Sequence, residues 1–557
     1  MKPLKEWVEK LYNQNKSLIE NVAMPVILIL WCIVKVNKGV DVSDSTYSLG
    51  NYMFADRLNG AWIISTYLSN LTGSLLVRLP FGNTLIGMNI YTGFVLASIA
   101  LICYFAFKND FTAPIMFVGE FMAIAFCWIP TGILYNYLTY LFFSLGAIFI
   151  YKAVRMEKQS FYFLAGVSLG INVFVRIPNI AEMALIFAVW GIVFLSAKNM
   201  QIKNILSFNI LGKSTLLCVL GYILGLGLSL TLILTSFGIA GIRDMVFGLF
   251  AMSSGDDTYT ISTMLLSVIR AYIRSLKWIG IILAVVFSGT IVIGALKKNK
   301  LLKMLGRAFY LLIVALMIRF FWGKGMFTLK YYEDYTAMYE WGMVLLFLSW
   351  IAILSVLVKK DYNVITKAYG MVCLFILIIT PIGSNNFTYQ NLNNMFLILP
   401  FTLFVIGGWL YRGKHRIRLD GIFYGCNFPW MSMVIALFAV IFIQTSFFHI
   451  NFVFRDGMDG TARDTKIEEI DTLKGIYTNS ENAINITELY ECMVEGKIKN
   501  TEQNPYNGEM DGRTEVNQPN RENDNCALKL CQPIADVVFW GDCPGLSYIF
   551  KIPPAIS

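Results

Sequence analysis

Runs of roughly 20 apolar residues, each enough for one helical crossing of a bilayer, recur from near Met24 to near Phe448. A backbone placed in hydrocarbon must pair its own N–H and C=O groups, so runs of this length fold as helices packed within a membrane. They lie near 22–37, 84–106, 113–130, 138–152, 161–177, 180–196, 213–239, 278–296, 307–323, 338–358, 368–384, 395–411 and 431–448, which predicts about thirteen spans. Composition agrees: 56% of the 557 residues are hydrophobic and 15% charged, against about 45–50% and about 25% in soluble domains. A cytosolic enzyme, a nucleic-acid-binding protein and a disordered hub are excluded.

The net charge of +9 reports topology. With the N-terminus inside, Lys108, Lys152/Arg155/Lys158, Lys198/Lys203, Lys297 to Arg307, Lys359/Lys360 and Arg412 to Arg418 all fall in loops expected to face the cytoplasm. The first run is expected to remain as an anchor, because Met1 to Ala23 is polar and lysine-bearing. Leu4, Trp7, Val8, Leu11 and Tyr12 at helical spacing predict an interfacial helix before it. An odd number of spans puts the tail outside. From His449 to Ser557, 10 Lys and Arg stand against 18 Asp and Glu, a net −8, whereas the other 35 basic and 18 acidic residues leave +17.

The expected fold class is therefore a polytopic α-helical membrane protein with a small α/β extracytoplasmic C-terminal domain. Residues 1–448 form the membrane domain, with a first outer loop at 38–83, and 449–557 form the outer domain. In that tail Asn500 to Asn525 reads as a polar loop, and Ala535 to Trp540 as a buried strand. Its four cysteines, Cys492, Cys526, Cys531 and Cys543, allow three pairings or stay reduced.

The first outer loop carries the strongest chemical signal. Asp41 and Asp44 stand just past a membrane exit, with Tyr47 three residues on. A carboxylate fixed there, with an aromatic side chain shaping the site, takes a proton from a hydroxyl at the membrane boundary. The bland alternative is a solvated loop in which Asp44 caps a helix starting near Ser45.

An Asp with Tyr three residues later, in a long first outer loop, resembles the first-loop motif of GT-C superfamily glycosyltransferases, which include protein O-mannosyltransferases and the aminoarabinose transferases of lipid A. The resemblance continues through Phe54-Ala55-Asp56-Arg57, the helices to Gly82-Asn83, Tyr135-Asn136-Tyr137-Leu138-Thr139 and Val175-Arg176-Ile177-Pro178-Asn179. The closing Trp540 to Tyr548 is similar to the tail of uncharacterised bacterial members. The resemblance implies an inverting transferase in the cell membrane. Its donor would be a polyprenyl-phosphate sugar, its acceptor a hydroxyl of a glycan, lipid or protein, with membrane lipids as further partners. It places Asp44 at the family's catalytic carboxylate, while Asp41 matches no secure position. Relatives often carry Asp-Glu where this chain has Asp44-Ser45.

Leaving phosphate requires cations. The candidates are Arg176, at an outer helix end after an apolar run, and Lys324 and Lys330, in an outer loop where relatives bind lipid phosphate, with Tyr47 and Tyr135 as further substrate-binding candidates. Against these stand snorkelling of Arg176 and pairing of Lys330 with Glu333 or Asp334. Arg243, Arg270 and Arg274 read as flanks of an interfacial helix, and Asp256-Asp257 as a turn. No cofactor is called for with certainty. A divalent metal shared by Asp41 and Asp44 is one possibility, although oxygen-ligand sites need more ligands than are evident. Two histidines and the absence of a phosphate-cradling glycine loop argue against a histidine metal centre and an ATP-driven pump.

Two alternatives of other classes stay open. A flippase for a lipid-linked sugar needs polar residues deep in the bilayer, of which few are evident in the runs. A non-catalytic assembly protein has no need of Asp44.

Overall fold

The computed structural model describes residues 10–58, 60–196, 208–253, 261–296, 300–328, 336–383, 386, 388–414, 428–456, 462–493 and 546–551. Among them eight helices are long and apolar enough to cross a membrane, so the chain is a mostly helical, multi-pass membrane protein. In chain order the elements that position the site are α1 (Met24–Cys32), α2 (Ser45–Met53), α3 (Leu85–Phe111), α4 (Ala113–Phe126), α5 (Leu134–Met156) and α6 (Ser160–Asn172). They are followed by α7 (Phe208–Ser253), α8 (Ile261–Ala295), α9 (Lys300–Gly323), α10 (Thr336–Val358) and α11 (Phe428–Asn451). Several apolar helices, α4 and α6 among them, have only 10–17 residues, less than the roughly 20 of one straight crossing. The expected total of about thirteen therefore depends on helices that do not reach across by length alone.

Local chemistry sets the boundaries. Thr84 opens α3 by accepting the Gly87 N–H at 3.2 Å, the standard use of a threonine cap. The helix stops at Thr112, whose φ of 71° cannot continue a right-handed helix. Pro114, in the first turn of α4, then starts the next one where its missing N–H costs nothing. The segment 240–277 between two apolar runs, expected to be an outer loop containing an interfacial helix, is helical over its described residues: α7 runs on to Ser253 past a break at Gly238 (φ 67°, ψ 178°), and α8 begins at Ile261. Arg270, Arg274 and Lys277 recur at helical spacing along this early part of α8, which makes it amphipathic rather than uniformly apolar.

The tightest helix pair is α6 against α7. A Cβ on Gly166 would lie 1.9 Å from the Cys218 carbonyl oxygen, and one on Gly170 2.2 Å from that of Tyr222. From the other side, a Cβ on Gly221 or Gly225 would lie 2.0 or 2.4 Å from the carbonyl oxygen of Phe163 or Val167. Two Gly-x-x-x-Gly faces thus meet, the arrangement that lets helix backbones approach closely where lipid removes the hydrophobic drive to associate.

A second hydrophobic core stands beside the main helical one and joins the first loop to the tail. Val40, Leu49, Tyr52, Leu85 and Met88 pack with Ile467, Ile470, Leu473, Ile476 and Tyr548. Backbone pairing reinforces it: Gly39 N–H donates to Tyr477 O at 2.7 Å, and Tyr477 N–H to Asn37 O at 2.8 Å. The strands β1 (Thr465–Lys466) and β2 (Tyr477–Thr478) pair antiparallel with Thr465 opposite Thr478. The expected strand at 535–540, the loop at 500–525, the 256–257 turn, Cys526, Cys531 and Cys543 lie outside the described residues, and of Cys492 only the backbone is described.

The glycine seam yields a direct test. Gly221→Leu should destabilise the purified protein by at least about 2 kcal/mol by overpacking. Gly227→Leu, on the same helix with no atom within 4 Å of its added Cβ, should leave the thermal unfolding midpoint in detergent unchanged.

Candidate functional site

The two aspartates of the first loop have opposite surroundings. Asp41 is 3% exposed, and both its carboxylate oxygens are committed. One accepts Ser43 N–H, Ser43 Oγ and Asp44 N–H at 3.0, 2.7 and 3.1 Å. The other accepts Ser45 N–H at 2.8 Å and Ser45 Oγ at 2.9 Å. Its carbonyl receives Thr46 Oγ1 at 2.8 Å. Asp41 thereby satisfies the N–H groups that α2 leaves open at its start.

A helix does begin at Ser45, as the capping alternative required, but Asp41 supplies the cap. The Asp44 side chain makes no capping bond, and no hydrogen bond to it is found among the described residues. It is exposed, yet the loop strips part of its hydration. That desolvation, and then the Asp41 carboxylate, raise its carboxyl above the ordinary value, with Arg455 opposing them. Tyr47, one turn along α2, is half-buried and sets its ring edge-on to Trp62 at 6.4 Å.

The Asp41–Asp44 pair does not fit a shared divalent ion. Five donors occupy the Asp41 oxygens, and no cluster of three or more His, Cys, Asp or Glu residues suited to a metal occurs among the described residues. Oxygen-ligand sites need several free carboxylate or carbonyl groups.

The start of α2 is tied to the turn that leads into α5. Tyr52 Oη donates to Gly132 O at 2.9 Å and accepts Leu134 N–H at 3.1 Å. Gly132 has φ 92°, and a Cβ there would meet Leu49 Cδ2 at 3.2 Å, so glycine answers both demands. The next residue but two, Tyr135, lies under the Arg176 guanidinium at 5.7 Å, a cation–π contact. Arg176 Nη2 donates to Gly383 O at 2.9 Å. Arg176 is extended (φ −159°, ψ 122°) just ahead of the 3-10 helix Ile177–Ile186, whose first turn holds Pro178. Tyr52 thus ties α2, which follows Asp44 and carries Tyr47, to the turn before Tyr135, and Tyr135 in turn meets Arg176. Lys324 takes no part in these contacts: it is exposed after α9, with its ammonium over the Phe320 ring at 5.8 Å. Lys330 lies outside the described residues.

Sequence reading missed the polar interior behind Arg176. Asn172 Nδ2 donates to Thr139 O at 3.0 Å and to Glu182 Oε2 at 2.6 Å, and Asn179 Nδ2 to Thr139 Oγ1 at 2.7 Å. Tyr140 donates to Gln390. A small cavity of about 20 Å³ lies between Arg176, Glu182, Gln390 and Asn394. Glu120, in α4, is fully buried with neither oxygen paired. The expectation of few deep polar residues is thus corrected. Each carboxylate is isolated in an apolar helix, so periodicity registers only the helix around it. The signal available was their cost: an acidic residue is rarely kept in such a helix without a role.

The flanking arginines are ordinary. Arg243 pairs with its neighbour Asp244 at 3.2 Å in full exposure, and Arg274 reaches Glu340 at 3.8 Å, where Glu340 also takes Trp278 Nε1–H at 2.7 Å.

No protein-family model and no curated protein matches the chain. Solved structures do show likeness. The apo crystal structure of the Archaeoglobus fulgidus oligosaccharyltransferase aligns with TM-score 0.43 and 11% identity, over 96% of this chain and 64% of that one. Archaeal oligosaccharyltransferase AglB from the same organism, in complex with an inhibitory peptide and a dolichol-phosphate, gives the same figures. Its complex with zinc and sulfate gives TM-score 0.43, 12% identity and shares of 96% and 62%. The chain thus spans less than two thirds of the length of that protein, and no residue role is carried over from it.

The two aspartates should separate in stability measurements on the whole protein. Asp41→Asn places an NH₂ against N–H and O–H donors and should cost about 2 kcal/mol. Asp44 behaves oppositely: a folded-state carboxyl raised above its unfolded value destabilises once pH exceeds both. Asp44→Asn should therefore leave the unfolding midpoint at pH 7 unchanged or slightly higher. Equal losses from both substitutions would contradict this division.

Proposed function

We propose that the chain is an integral membrane glycosyltransferase that moves a sugar from a polyprenyl-phosphate donor to an acceptor hydroxyl on the outer face of the membrane, with inversion. The observation that carries the reading is the division between the aspartates. Asp41 spends its carboxylate on the start of α2, and this holds Asp44 at the surface with its own oxygens free and a proton affinity above that of an ordinary carboxylate. That is what a general base on a sugar, lipid or protein hydroxyl requires.

In the proposed step Asp44 takes the acceptor O–H proton as the acceptor oxygen bonds to the anomeric carbon. The bond from that carbon to the phosphate oxygen breaks, and the electron pair leaves with the lipid phosphate. Arg176, backed by the Tyr135 ring and anchored on Gly383 O, is the cation for the developing charge. Tyr47 bounds the acceptor side. Lys324 and Lys330 are assigned to the approach of the lipid phosphate. The distribution of basic loops supports a cytoplasmic N-terminus and an outer tail at 449–557.

One observation favours a second reading, movement of a lipid-linked sugar without chemistry: Glu120 and Glu182 are buried in apolar helices, where transporters place coupling groups.

The deciding assay is release of polyprenyl phosphate from a panel of polyprenyl-phosphate sugars by purified protein. Asp44→Asn should lower turnover by about 10²–10⁴-fold while donor binding persists. The acid limb of the wild-type profile should fall at a pH above the ordinary carboxylate pKa of about 3.9. Full activity of Asp44→Asn sinks the mechanism. Donor movement across reconstituted vesicles without phosphate release, abolished by Glu120→Gln, establishes the second reading instead.

A further inference from the structure

A second cavity, of about 40 Å³, lies between the end of α1, the start of the first loop, α3, the turn after α4 and the end of α11. A water needs roughly 10–15 Å³ on this measure, so the space matches a group of a few heavy atoms, too small for a sugar ring. Lys35, Lys38, Asn89, Thr92, Ser45 and Thr131 line it together with apolar side chains and with His449 and Tyr137, whose ring nitrogen and hydroxyl are engaged by Trp31 O and Ile129 O.

Its polar groups are unbalanced. Lys35 Nζ donates to Phe452 O at 3.0 Å and Lys38 Nζ to Ile450 O at 3.4 Å, one neutral acceptor for each ammonium. Neither forms an ion pair among the described residues. Arg463, whose charge also acts on both lysines, is a further cation, and its own charge is met by buried Asp456. Burial, and then Arg463, lower the Lys38 ammonium pKa, as expected where no carboxylate answers it. Two neutral groups are unsatisfied as well. Asn89 is 5% exposed and Thr92 1%, and Asn89 Oδ1 and Thr92 Oγ1 have no partner, although Asn89 is oriented by its donation to Val36 O at 2.8 Å.

Unpaired cations and unsatisfied buried polar atoms are each costly. Their convergence on one small space calls for an anion that accepts from several donors and can also donate. We propose that this cavity binds a phosphate-class oxyanion. Lys35 and Lys38 supply charge-assisted donors, Thr92 Oγ1 adds a neutral one, and Asn89 Oδ1 accepts the proton that a phosphate monoester carries below its second pKa of about 6. A lipid phosphate headgroup and free phosphate share this chemistry. The inference concerns binding and stands whether or not the chain transfers sugars.

The test uses the full-length protein in detergent, with equilibrium binding of inorganic phosphate, a polyprenyl phosphate and the matching polyprenol. Wild type should bind at least one phosphate compound and not the polyprenol. Lys35→Gln and Lys38→Gln should each weaken binding at least tenfold. Because Lys35 is packed among helices, Thr92→Val, which keeps shape and removes only the hydroxyl, is measured alongside, with folding followed by circular dichroism and gel filtration; a loss of about threefold is expected. Binding of inorganic phosphate assigns a free oxyanion, and binding of polyprenyl phosphate alone assigns the headgroup. Absence of phosphate binding overturns the proposal. So does binding that survives Lys38→Gln and Thr92→Val in folded protein but is lost in Arg176→Gln.

Discussion

The carboxylate of Asp41 is the constraint on which this end of the molecule depends. A helix start exposes N–H groups that a buried loop cannot leave to water, and α2 begins in a largely buried loop. By accepting from Ser43, Asp44 and Ser45, one side chain pins that start. Everything nearby is registered on α2. Tyr52 reaches the Gly132 turn, and Leu49 and Tyr52 enter the core shared with the tail. Tyr135, just beyond that turn, carries Arg176 on its ring. Loss of the cap would free the loop that holds Asp44 and loosen all of these contacts together.

Charge is distributed by the same economy. Where the fold needs a buried charge for architecture, it provides the partner: Asp456 pairs with Arg463 in nearly complete burial, and Glu340 takes the Trp278 N–H. Where charges lack partners, they face a cavity or the surface, as Lys35, Lys38 and Asp44 do. Unpaired charge in a low-dielectric setting is expensive, so this contrast separates scaffold from site. Glu120 is the exception, buried with neither oxygen hydrogen-bonded, a placement that stability alone does not favour.

Much of the fold was legible in the chain. Roughly 20-residue apolar runs leave little choice but membrane helices, whereas the Thr84 cap, the Pro114 start and the paired glycines of 166–170 and 221–225 were recognised only in the structure. That the two glycine faces meet each other was not legible, because spacing records a face and not its partner. The first loop was legible as a site from Asp41, Asp44 and Tyr47, and the resemblance weighted Asp44 over Asp41. The polar residues behind Arg176 were not, since Glu182, Asn172 and Gln390 come from segments far apart in the chain.

The sequence by itself determined that the chain is a multi-pass helical membrane protein, that a long loop with two carboxylates follows its first apolar run, and that its last hundred or so residues are acidic and polar. These follow from composition and local period, which act over a few turns. Only the tertiary structure decided which aspartate caps and which is free, that Tyr135 and Arg176 stand together, and that Lys35, Lys38, Asn89 and Thr92 surround one space. Those outcomes depend on which distant segments supply a hydrogen-bond acceptor or a counter-charge, and a buried polar group finds its partner through packing, which local sequence does not encode.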